Sequence, residues 1–160
     1  MRNAKRLLVD NACYHLMVRG NRKHKVFRCR EDYFIYLALL RKFKRKHKFK
    51  VYAYCLMPNH VHLLGEIENG SLLSKFMHDL NRTYTLYFNK KYTKVGHLWQ
   101  GRYKSMVITK DKYLFDCINY IELNPLRADL VKEPSGYPWN SYNARILGKE
   151  DKIIDQLSLF

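Results

Sequence analysis

The chain has 160 residues and a mass of 19.3 kDa, which is enough sequence for one domain with a buried core. Although 47% of the residues are hydrophobic, no uninterrupted apolar run approaches the roughly 20 residues that span a bilayer, and residues 1–9 lack a signal-peptide core. We therefore expect a single soluble domain over residues 1–160 that acts in the cytoplasm, away from membranes.

The formal charge of +16, from 30 Lys and Arg against 14 Asp and Glu, is larger than solubility requires. The basic residues are spread along the chain and mixed with 13 Tyr, 8 Phe and 2 Trp, a composition that can neutralise phosphates and stack on unpaired bases. Nucleic acid is therefore the predicted partner. An anionic membrane surface is the competing interpretation, but the basic helix that would contact it has no Trp.

The first half of the chain predicts a strand, a helix and a hairpin. Residues 13–19 predict a strand that ends in a turn at 20–23. Apolar residues at helical spacing predict an amphipathic helix over 31–48, with a basic run on its far side. Residues 51–56 and 60–67 then predict two strands joined by a tight turn.

The second half predicts a helix, a strand and a further helix. Gly70 and Ser71 open a helix whose apolar stripe ends near Tyr87, residues 103–108 predict a strand, and 111–124 predict a third helix. The order βαββαβ is the α+β, ferredoxin-like or RRM-like pattern of a four-stranded antiparallel sheet with two helices on one face. We expect the third helix to cover the other face.

The C-terminal segment 131–160 contains Pro, Gly and Asn at short intervals. We expect it to be an irregular tail that docks on the domain through Tyr137, Trp139 and Tyr142.

Two histidines separated by one residue are the most informative feature of the chain. His60 and His62 lie in a predicted strand, where alternation puts both imidazoles on one face of the sheet. Two imidazoles placed in this way could hold a metal ion between them. Taken alone, the pair is more typical of polar residues on a half-exposed strand.

The third predicted helix carries Tyr120 and Asn124 on one face. In isolation, Tyr120 reads as a border residue of an amphipathic helix, and Asn124 as a helix terminator before Pro125. A tyrosine oxygen can, however, attack a phosphodiester and form a covalent protein–DNA link, and the anionic phosphate then needs a cation. Two imidazoles and one amide oxygen, with open positions for water, suit Mg²⁺ or Mn²⁺.

Four motifs in the chain resemble those of a known family. The segment Pro58-Asn59-His60-Val61-His62-Leu63-Leu64 resembles the His-hydrophobic-His motif of the HUH single-strand DNA endonucleases. Residues 120–127 resemble the nucleophile helix of the single-tyrosine, IS200-like transposases, and the segments 99–103 and 137–142 are similar to those of the REP-associated tyrosine transposases. The likeness extends over residues 13–142, and four motifs in order are far more specific than His-x-His alone.

The resemblance implies a metal-dependent endonuclease and strand transferase that cleaves single-stranded DNA near hairpins. Tyr120 would be the nucleophile, forming a 5′-phosphotyrosine link and freeing a 3′-hydroxyl. His60, His62 and Asn124 would hold the divalent ion, Mg²⁺ or Mn²⁺. The partner would be hairpin DNA of the REP-like palindromic kind. We expect a monomer rather than the homodimer that is common in the wider family.

Basic and aromatic residues near these motifs are candidate DNA contacts. They are Arg19, Asn21, Lys23, Trp99, Arg102, Arg127 and Trp139. The two tryptophans could equally be core residues.

A nucleic-acid-binding module without catalysis is the alternative function. In that interpretation the ferredoxin-like sheet presents aromatic side chains to unpaired bases. It explains the charge, the aromatic content and the fold equally well, but it does not explain two histidines on a face that the helix carrying Tyr120 should cover.

Overall fold

A four-stranded antiparallel sheet organises the chain in the computed structural model, which describes residues 8–157. The strands are β1 (Ala12–Arg19), β2 (Phe49–Met57), β3 (His60–Ile67) and β4 (Lys104–Ile108). Their order across the sheet is β2-β3-β1-β4, and every neighbouring pair is antiparallel. The predicted ferredoxin-like sheet is confirmed.

Five helices accompany the sheet in the described part of the chain. They are α1 (Arg30–Lys46), α2 (Leu73–Tyr92), α3 (Lys112–Glu122), α4 (Asn124–Arg127) and α5 (Tyr142–Leu147). Short 3-10 turns lie at Asn21–Lys23, Gly70–Leu72 and Pro134–Gly136. Within residues 8–157, none of the helices combines the length and apolar character that crossing a bilayer requires.

The two faces of the sheet are covered by different helices. On one face, Phe49 of β2 stacks on Phe76 of α2 with ring centroids 4.5 Å apart, and α1 packs beside α2. On the other face, Tyr120 of α3 lies against His62 of β3. Because successive strand residues point to opposite faces, Val61, Leu63 and Ile67 of β3 lie on the side of α1 and α2, while His60 and His62 meet α3.

The C-terminal segment pairs with the free edge of β2. The N–H of Leu56 donates to the Trp139 carbonyl at 2.8 Å, and the N–H of Ser141 donates to the Tyr54 carbonyl at 3.1 Å. Further along, the N–H of Asp155 donates to the Val51 carbonyl at 2.7 Å. These bonds cover an edge that would otherwise offer unpaired backbone groups.

The prediction of an irregular tail over 131–160 needs correction for residues 142–147. This stretch forms α5, and Gly148 ends the helix in the left-handed conformation with φ of 67°. The last three residues of the predicted tail lie outside the described part of the chain.

A buried carboxylate joins α1 to α2. Asp32 accepts hydrogen bonds from Tyr87 Oη at 2.7 Å, from Tyr92 Oη at 2.5 Å and from the backbone N–H of Arg28 at 2.8 Å, with the Lys91 ammonium 3.0 Å away. Burial by itself raises the pKa of this carboxyl. The hydrogen bonds, with that from Tyr92 the largest, outweigh burial and lower the pKa to about 2.

We predict that Asp32→Asn lowers the free energy of unfolding by about 2–4 kcal/mol near neutral pH, because buried donors lose their charged acceptor. The folded-state pKa of Asp32 lies below its unfolded value of about 3.9. The stabilisation is therefore present above that value and is lost as the pH falls through about 2. Urea denaturation at several pH values should show the two proteins converging in acid.

Glu31→Gln is the matched control, because Glu31 is the neighbouring acid and its side chain is 66% exposed. It should change the stability by less than about 0.5 kcal/mol at any pH. An Asp32→Asn deficit that stays constant from neutral pH into strong acid would contradict the assignment.

Candidate active site

Two imidazoles lie on one face of the sheet at the end of β3. His60 pairs with Arg19 of β1, and His62 pairs with Met17. The two imidazole centroids are 5.0 Å apart, and the ring planes are nearly perpendicular at 84°. His62 is buried, and His60 is half-buried. The strand alternation therefore brings both rings to the face that α3 covers.

The Nδ1 atom of each ring is engaged in a hydrogen bond. Nδ1 of His60 lies 2.7 Å from Oδ1 of Asn59, so the ring donates its N–H to that oxygen. Nδ1 of His62 lies 2.9 Å from Nε2 of His15. Hydrogen bonds at Nδ1 hold the orientation of an imidazole and direct its Nε2 toward other partners.

His15 is the site residue that the sequence analysis missed. Its ring stacks on that of His62 with centroids 5.1 Å apart and planes at 27°. A usable signal was present, because ferredoxin-like order puts β1 beside β3. His15 also shares its face of β1 with Arg19, the residue opposite His60.

Burial lowers the pKa of all three histidines. The pKa of His60 falls to about 4, with burial the larger cause and the charge of Arg19 the smaller. The pKa of His62 falls to about 3, since His15, His60 and nearby arginines reinforce the effect of burial. Burial also lowers the pKa of His15. The rings are therefore neutral at pH 7, the protonation state that metal ligation requires.

Tyr120 lies on α3 with its ring beside two of these histidines. Its centroid is 5.9 Å from that of His62 and 6.3 Å from that of His15, with both contacts edge-on. The Arg127 guanidinium lies 4.4 Å from the tyrosine ring centroid and donates to the Tyr120 carbonyl. The tyrosine is 51% exposed and is therefore accessible from solvent.

The local sequence explains where α3 begins and ends. The Asp111 carboxylate accepts the N–H of Tyr113 at 2.9 Å and caps the first turn. At the other end, Pro125 has no N–H to continue the helical hydrogen bonds. The helix therefore ends at Glu122, and the prediction of one helix over 111–124 is wrong at its C-terminal end.

Asn124 opens α4 and reaches His62. Its Nδ2 lies 3.0 Å from Nε2 of His62, so the amide donates to the lone pair of the imidazole. Over residues 8–157, no group of three or more His, Cys, Asp and Glu side chains is arranged to hold a metal ion. A metal ion at this position would need a half-turn of the amide, which would offer Oδ1 as the third protein ligand beside His60 and His62.

The predicted polar DNA contacts lie at the end of the sheet that carries His60. Arg19 ends β1, and Asn21 and Lys23 form the 3-10 turn that follows. Arg102 is exposed and belongs to the loop 96–103. The backbone of this loop hydrogen-bonds to the backbone of Arg19 and Asn21. This arrangement groups the half-buried Arg19 with the exposed side chains of Asn21, Lys23 and Arg102 at the end of the sheet that carries His60.

The two tryptophans lie deeper than a base-stacking role requires. Each is only 9% exposed. Trp139 stacks on Tyr33 with centroids 4.5 Å apart, and the Trp99 indole N–H donates to the Asn81 carbonyl at 3.3 Å. These contacts favour the alternative in which both rings are core residues.

The family of the chain follows from sequence comparison. Residues 8–124 match the family model described as "Transposase IS200 like". The chain belongs to the IS200-like transposase family. The resemblance identified from the four motifs is confirmed.

Two curated relatives have the name of a REP-associated tyrosine transposase. This chain is 30% identical over 109 residues to the one from Haemophilus influenzae, with 61% of each chain covered. It is 24% identical over 103 residues to the one from Escherichia coli K12, with 64% of this chain and 59% of that protein covered. The match thus spans about three fifths of each relative's length.

Two solved structures share the fold. One is described as a REP-associated tyrosine transposase bound to a REP hairpin, and it matches 98% of this chain and 92% of its own with a TM-score of 0.78 at 19% identity. The other is a transposase from Deinococcus radiodurans, which matches 81% of this chain and 92% of its own with a TM-score of 0.52 at 18% identity.

An ion pair fixes the C-terminal end of α3. The Glu122 carboxylate is 1% exposed and accepts hydrogen bonds from the Arg145 guanidinium at 2.6–3.1 Å. It also accepts the Ser141 hydroxyl at 2.7 Å, while the Asn140 amide donates to the Glu122 carbonyl at 3.0 Å. The C-terminal segment thereby holds the turn between Tyr120 and Asn124.

We predict that Arg145→Met destabilises the protein by about 2–4 kcal/mol, because it leaves the buried Glu122 carboxylate without its cation. Adding Glu122→Gln to this variant should restore part of the loss. Urea denaturation of the two single variants and the double variant measures the coupling.

Arg45→Met serves as the control, since Arg45 is exposed on α1. It should change stability by less than about 0.5 kcal/mol. If Arg145→Met and Arg45→Met were equally mild, the ion pair would not be the anchor of α3.

Proposed function

We propose that this protein is a metal-dependent single-stranded DNA endonuclease and strand transferase of the HUH type, with Tyr120 as its nucleophile. One observation supports this most directly. The ring centroids of Tyr120 and His62 are 5.9 Å apart. Within residues 8–157, this is the only sheet face on which two histidines of one strand, His60 and His62, lie against a helix. Family membership supports a transposase-like reaction on DNA.

The proposed reaction exchanges one ester bond for another. The Tyr120 hydroxyl oxygen attacks the phosphorus of a phosphodiester, and an Oη–P bond forms while the P–O3′ bond breaks. The phenolic proton passes to solvent, and the departing 3′-oxygen takes up a proton to become a 3′-hydroxyl. The 5′-phosphotyrosine conserves the ester energy, so a 3′-hydroxyl of another strand can reverse the step and join the DNA.

The chain's own residues would arrange the reacting groups. Arg127 lies over the Tyr120 ring, where its guanidinium can pair with a phosphate oxygen beside the nucleophile. His15 and Asn59 hold the orientations of His62 and His60.

A divalent ion would complete this arrangement. His60, His62 and Asn124 form a donor set of two neutral imidazoles and one amide, and open positions of this kind are typical of Mg²⁺ or Mn²⁺ sites. Such an ion would polarise the scissile phosphate.

Hairpin DNA is the proposed substrate, and a monomer is the proposed active form. The formal charge of +16 supports binding to a polyanion. The solved relative with a TM-score of 0.78 is described as bound to a REP hairpin, which supports a palindromic hairpin as the DNA partner here.

The structure disfavours the alternative of a binding module that stacks bases on its sheet. Such modules need one open sheet face. Here α1 and α2 cover one face, and α3 packs on β2 and β3 of the other.

We predict that Tyr120→Phe abolishes the covalent protein–DNA adduct while DNA affinity stays within about twofold, since only the hydroxyl is removed and the ring still packs. Denaturing gels after incubation with hairpin DNA and Mn²⁺ detect the adduct. Tyr113→Phe is the control on the same helix, because Tyr113 is 68% exposed, and it should form the adduct normally.

An adduct that persists in Tyr120→Phe and disappears in Tyr113→Phe would transfer the nucleophile to Tyr113. The absence of any adduct from the wild-type protein with a broad set of hairpins would favour the binding module.

We also predict that His62→Ala removes measurable Mn²⁺ binding and that His15→Ala weakens it about 10–100-fold. His62 would be a ligand, whereas His15 acts through the hydrogen bond that orients His62. Calorimetric titration of the DNA-free protein with Mn²⁺ gives the affinity independently of cleavage.

His24→Ala is the control for the loss of an imidazole, since His24 is exposed in the loop after the 3-10 turn. It should leave the Mn²⁺ affinity unchanged. Equal Mn²⁺ affinity in wild type, His62→Ala and His15→Ala would remove the metal from the proposal.

A further inference from the structure

A short link joins β4 to α3 and sets the direction in which the helix leaves the sheet. β4 ends at Ile108 and α3 begins at Lys112, so residues 109–111 form the link. The Thr109 hydroxyl donates to the Asp111 carboxylate at 2.9 Å, and the same carboxylate caps the first turn of α3. The link is therefore bonded both within itself and to the helix, and the N-terminal end of α3 moves with it.

Lys110, in the middle of this link, is connected to the interior of the sheet. Its ammonium group donates to the Glu66 carboxylate of β3. β4 is an edge strand beside β1, and Cys13 of β1 pairs with Ile108 on one side and with Glu66 on the other. The lysine therefore reaches across β1 to a partner two strands away.

The Glu66 carboxylate is held in position for this ion pair. Its Oε2 accepts the Tyr52 hydroxyl at 2.7 Å, and its side chain is 14% exposed, against 30% for that of Lys110. Burial raises the pKa of Glu66, but hydrogen bonds from Lys110 and Tyr52 outweigh burial and lower the pKa. The carboxyl is therefore ionised at neutral pH. Salt screens a partly buried pair of this kind less than a pair on the surface.

The Lys110–Glu66 ion pair complements the one at the other end of α3. Glu122 and Arg145 hold the C-terminal end, close to Tyr120. The apolar stripe of α3 keeps the helix on the sheet, but hydrophobic contact is not directional. A helix fixed at one end can still swing about that end or turn about its axis. A second directional contact at the N-terminal end removes this freedom.

Restricting α3 matters for the proposed reaction because the nucleophile belongs to this helix. The Tyr120 ring lies beside His62, and a swing of the helix would move the hydroxyl relative to the histidines. Reacting atoms must lie about 3–3.5 Å apart and be aligned, and a misplacement of ~1 Å can cost about 100-fold in rate. An ion pair that fixes the helix can therefore control the rate without contacting DNA.

We propose that Lys110 and Glu66 are positioning residues for strand cleavage, and that their ion pair fixes the N-terminal end of α3 so that the Tyr120 hydroxyl is aligned with the scissile phosphate. This inference rests on the proposed function, because it takes Tyr120 as the nucleophile. It assigns Lys110 to a partner within the protein and not to a DNA phosphate.

The test measures the rate of adduct formation and the DNA affinity separately, at a temperature where circular dichroism shows every variant to be folded. Denaturing gels follow the adduct with saturating hairpin DNA and Mn²⁺, and fluorescence anisotropy in EDTA gives the affinity. Lys110→Met and Glu66→Gln should each slow adduct formation about 10–100-fold and change the dissociation constant less than about threefold. The two substitutions change the net charge in opposite directions, so a general electrostatic effect on DNA would change their rates in opposite directions.

Lys112→Met is the matched control, since Lys112 is exposed at the start of α3 and its loss removes the same charge. It should form the adduct within about twofold of the wild-type rate. Lys110→Arg should also stay within about threefold of that rate, because a guanidinium can pair with a carboxylate. Equal rates in Lys110→Met and Lys112→Met would overturn the proposal.

The double variant Lys110→Met/Glu66→Gln decides whether the two residues act as a pair. A shared role predicts that it is no slower than the slower single variant, because each single change already breaks the ion pair. A rate that falls by the product of the two single effects would show independent roles and would refute the ion pair as the positioning element.

Amide hydrogen exchange in the DNA-free protein gives a readout that does not depend on cleavage. Exchange at residues 114–118 should quicken about tenfold or more in Lys110→Met, while exchange in β1 and β3 stays as in the wild type. Equal acceleration in the helix and the strands would indicate a general loss of stability and would contradict a positioning role.

The two proposals fail in different ways. If the adduct forms at one rate in the wild type and all variants, the positioning role is refuted and the proposed function stands. If the wild type forms no adduct, the proposed function fails and the positioning role fails with it, while hydrogen exchange still reports whether the ion pair holds α3.

Discussion

The buried carboxylate of Glu122 anchors the end of the helix that carries Tyr120. It ends α3, and Arg145 and Ser141 hold it from a segment that is itself hydrogen-bonded along the edge of β2. An α3 of 11 residues is too short to be stable by itself, so its position must come from tertiary contacts. The apolar stripe of α3 packs on the sheet, while the ion pair between Glu122 and Arg145 holds its C-terminal end. The helix α3 and the C-terminal segment are therefore parts of one arrangement.

The two faces of the sheet differ in what they bury: one holds packed aromatic rings, and the other, under α3, holds the histidine cluster. The face under α1 and α2 is filled by stacked aromatic rings and closed by the Asp32 network, so that side tolerates little change of volume. The face under α3 contains imidazoles whose cost of burial is limited because they stay neutral and bond to one another and to Asn124. A neutral polar cluster can be buried in this way, whereas three charged rings could not.

Sequence patterns predicted the parts of the structure that depend on local periodicity. Strand alternation placed His60 and His62 on one face, and the order of elements gave the ferredoxin-like sheet before any contact was known. His15 was missed because it contacts His62, which lies 47 residues away in the sequence and on a neighbouring strand. The end of α3 at Glu122 could have been predicted from Pro125. The ion pair between Glu122 and Arg145 could not, because it joins two helices that no sequence motif connects. Contacts of that kind arise only from the folded topology.

The loop 96–103 contacts both the aromatic core and the end of β1. Trp99 packs into the aromatic core near Tyr36 and Tyr84, while its backbone bridges to Gly20 at the end of β1. The ring that looked suited to stacking on DNA therefore fixes the backbone that presents Gln100 and Arg102. Because the loop also bonds to Arg19, whose charge contributes to the lowered pKa of His60, the loop, the strand end and the histidines form one connected surface. The aromatic core that holds Trp99 therefore also fixes the position of the loop beside the histidines.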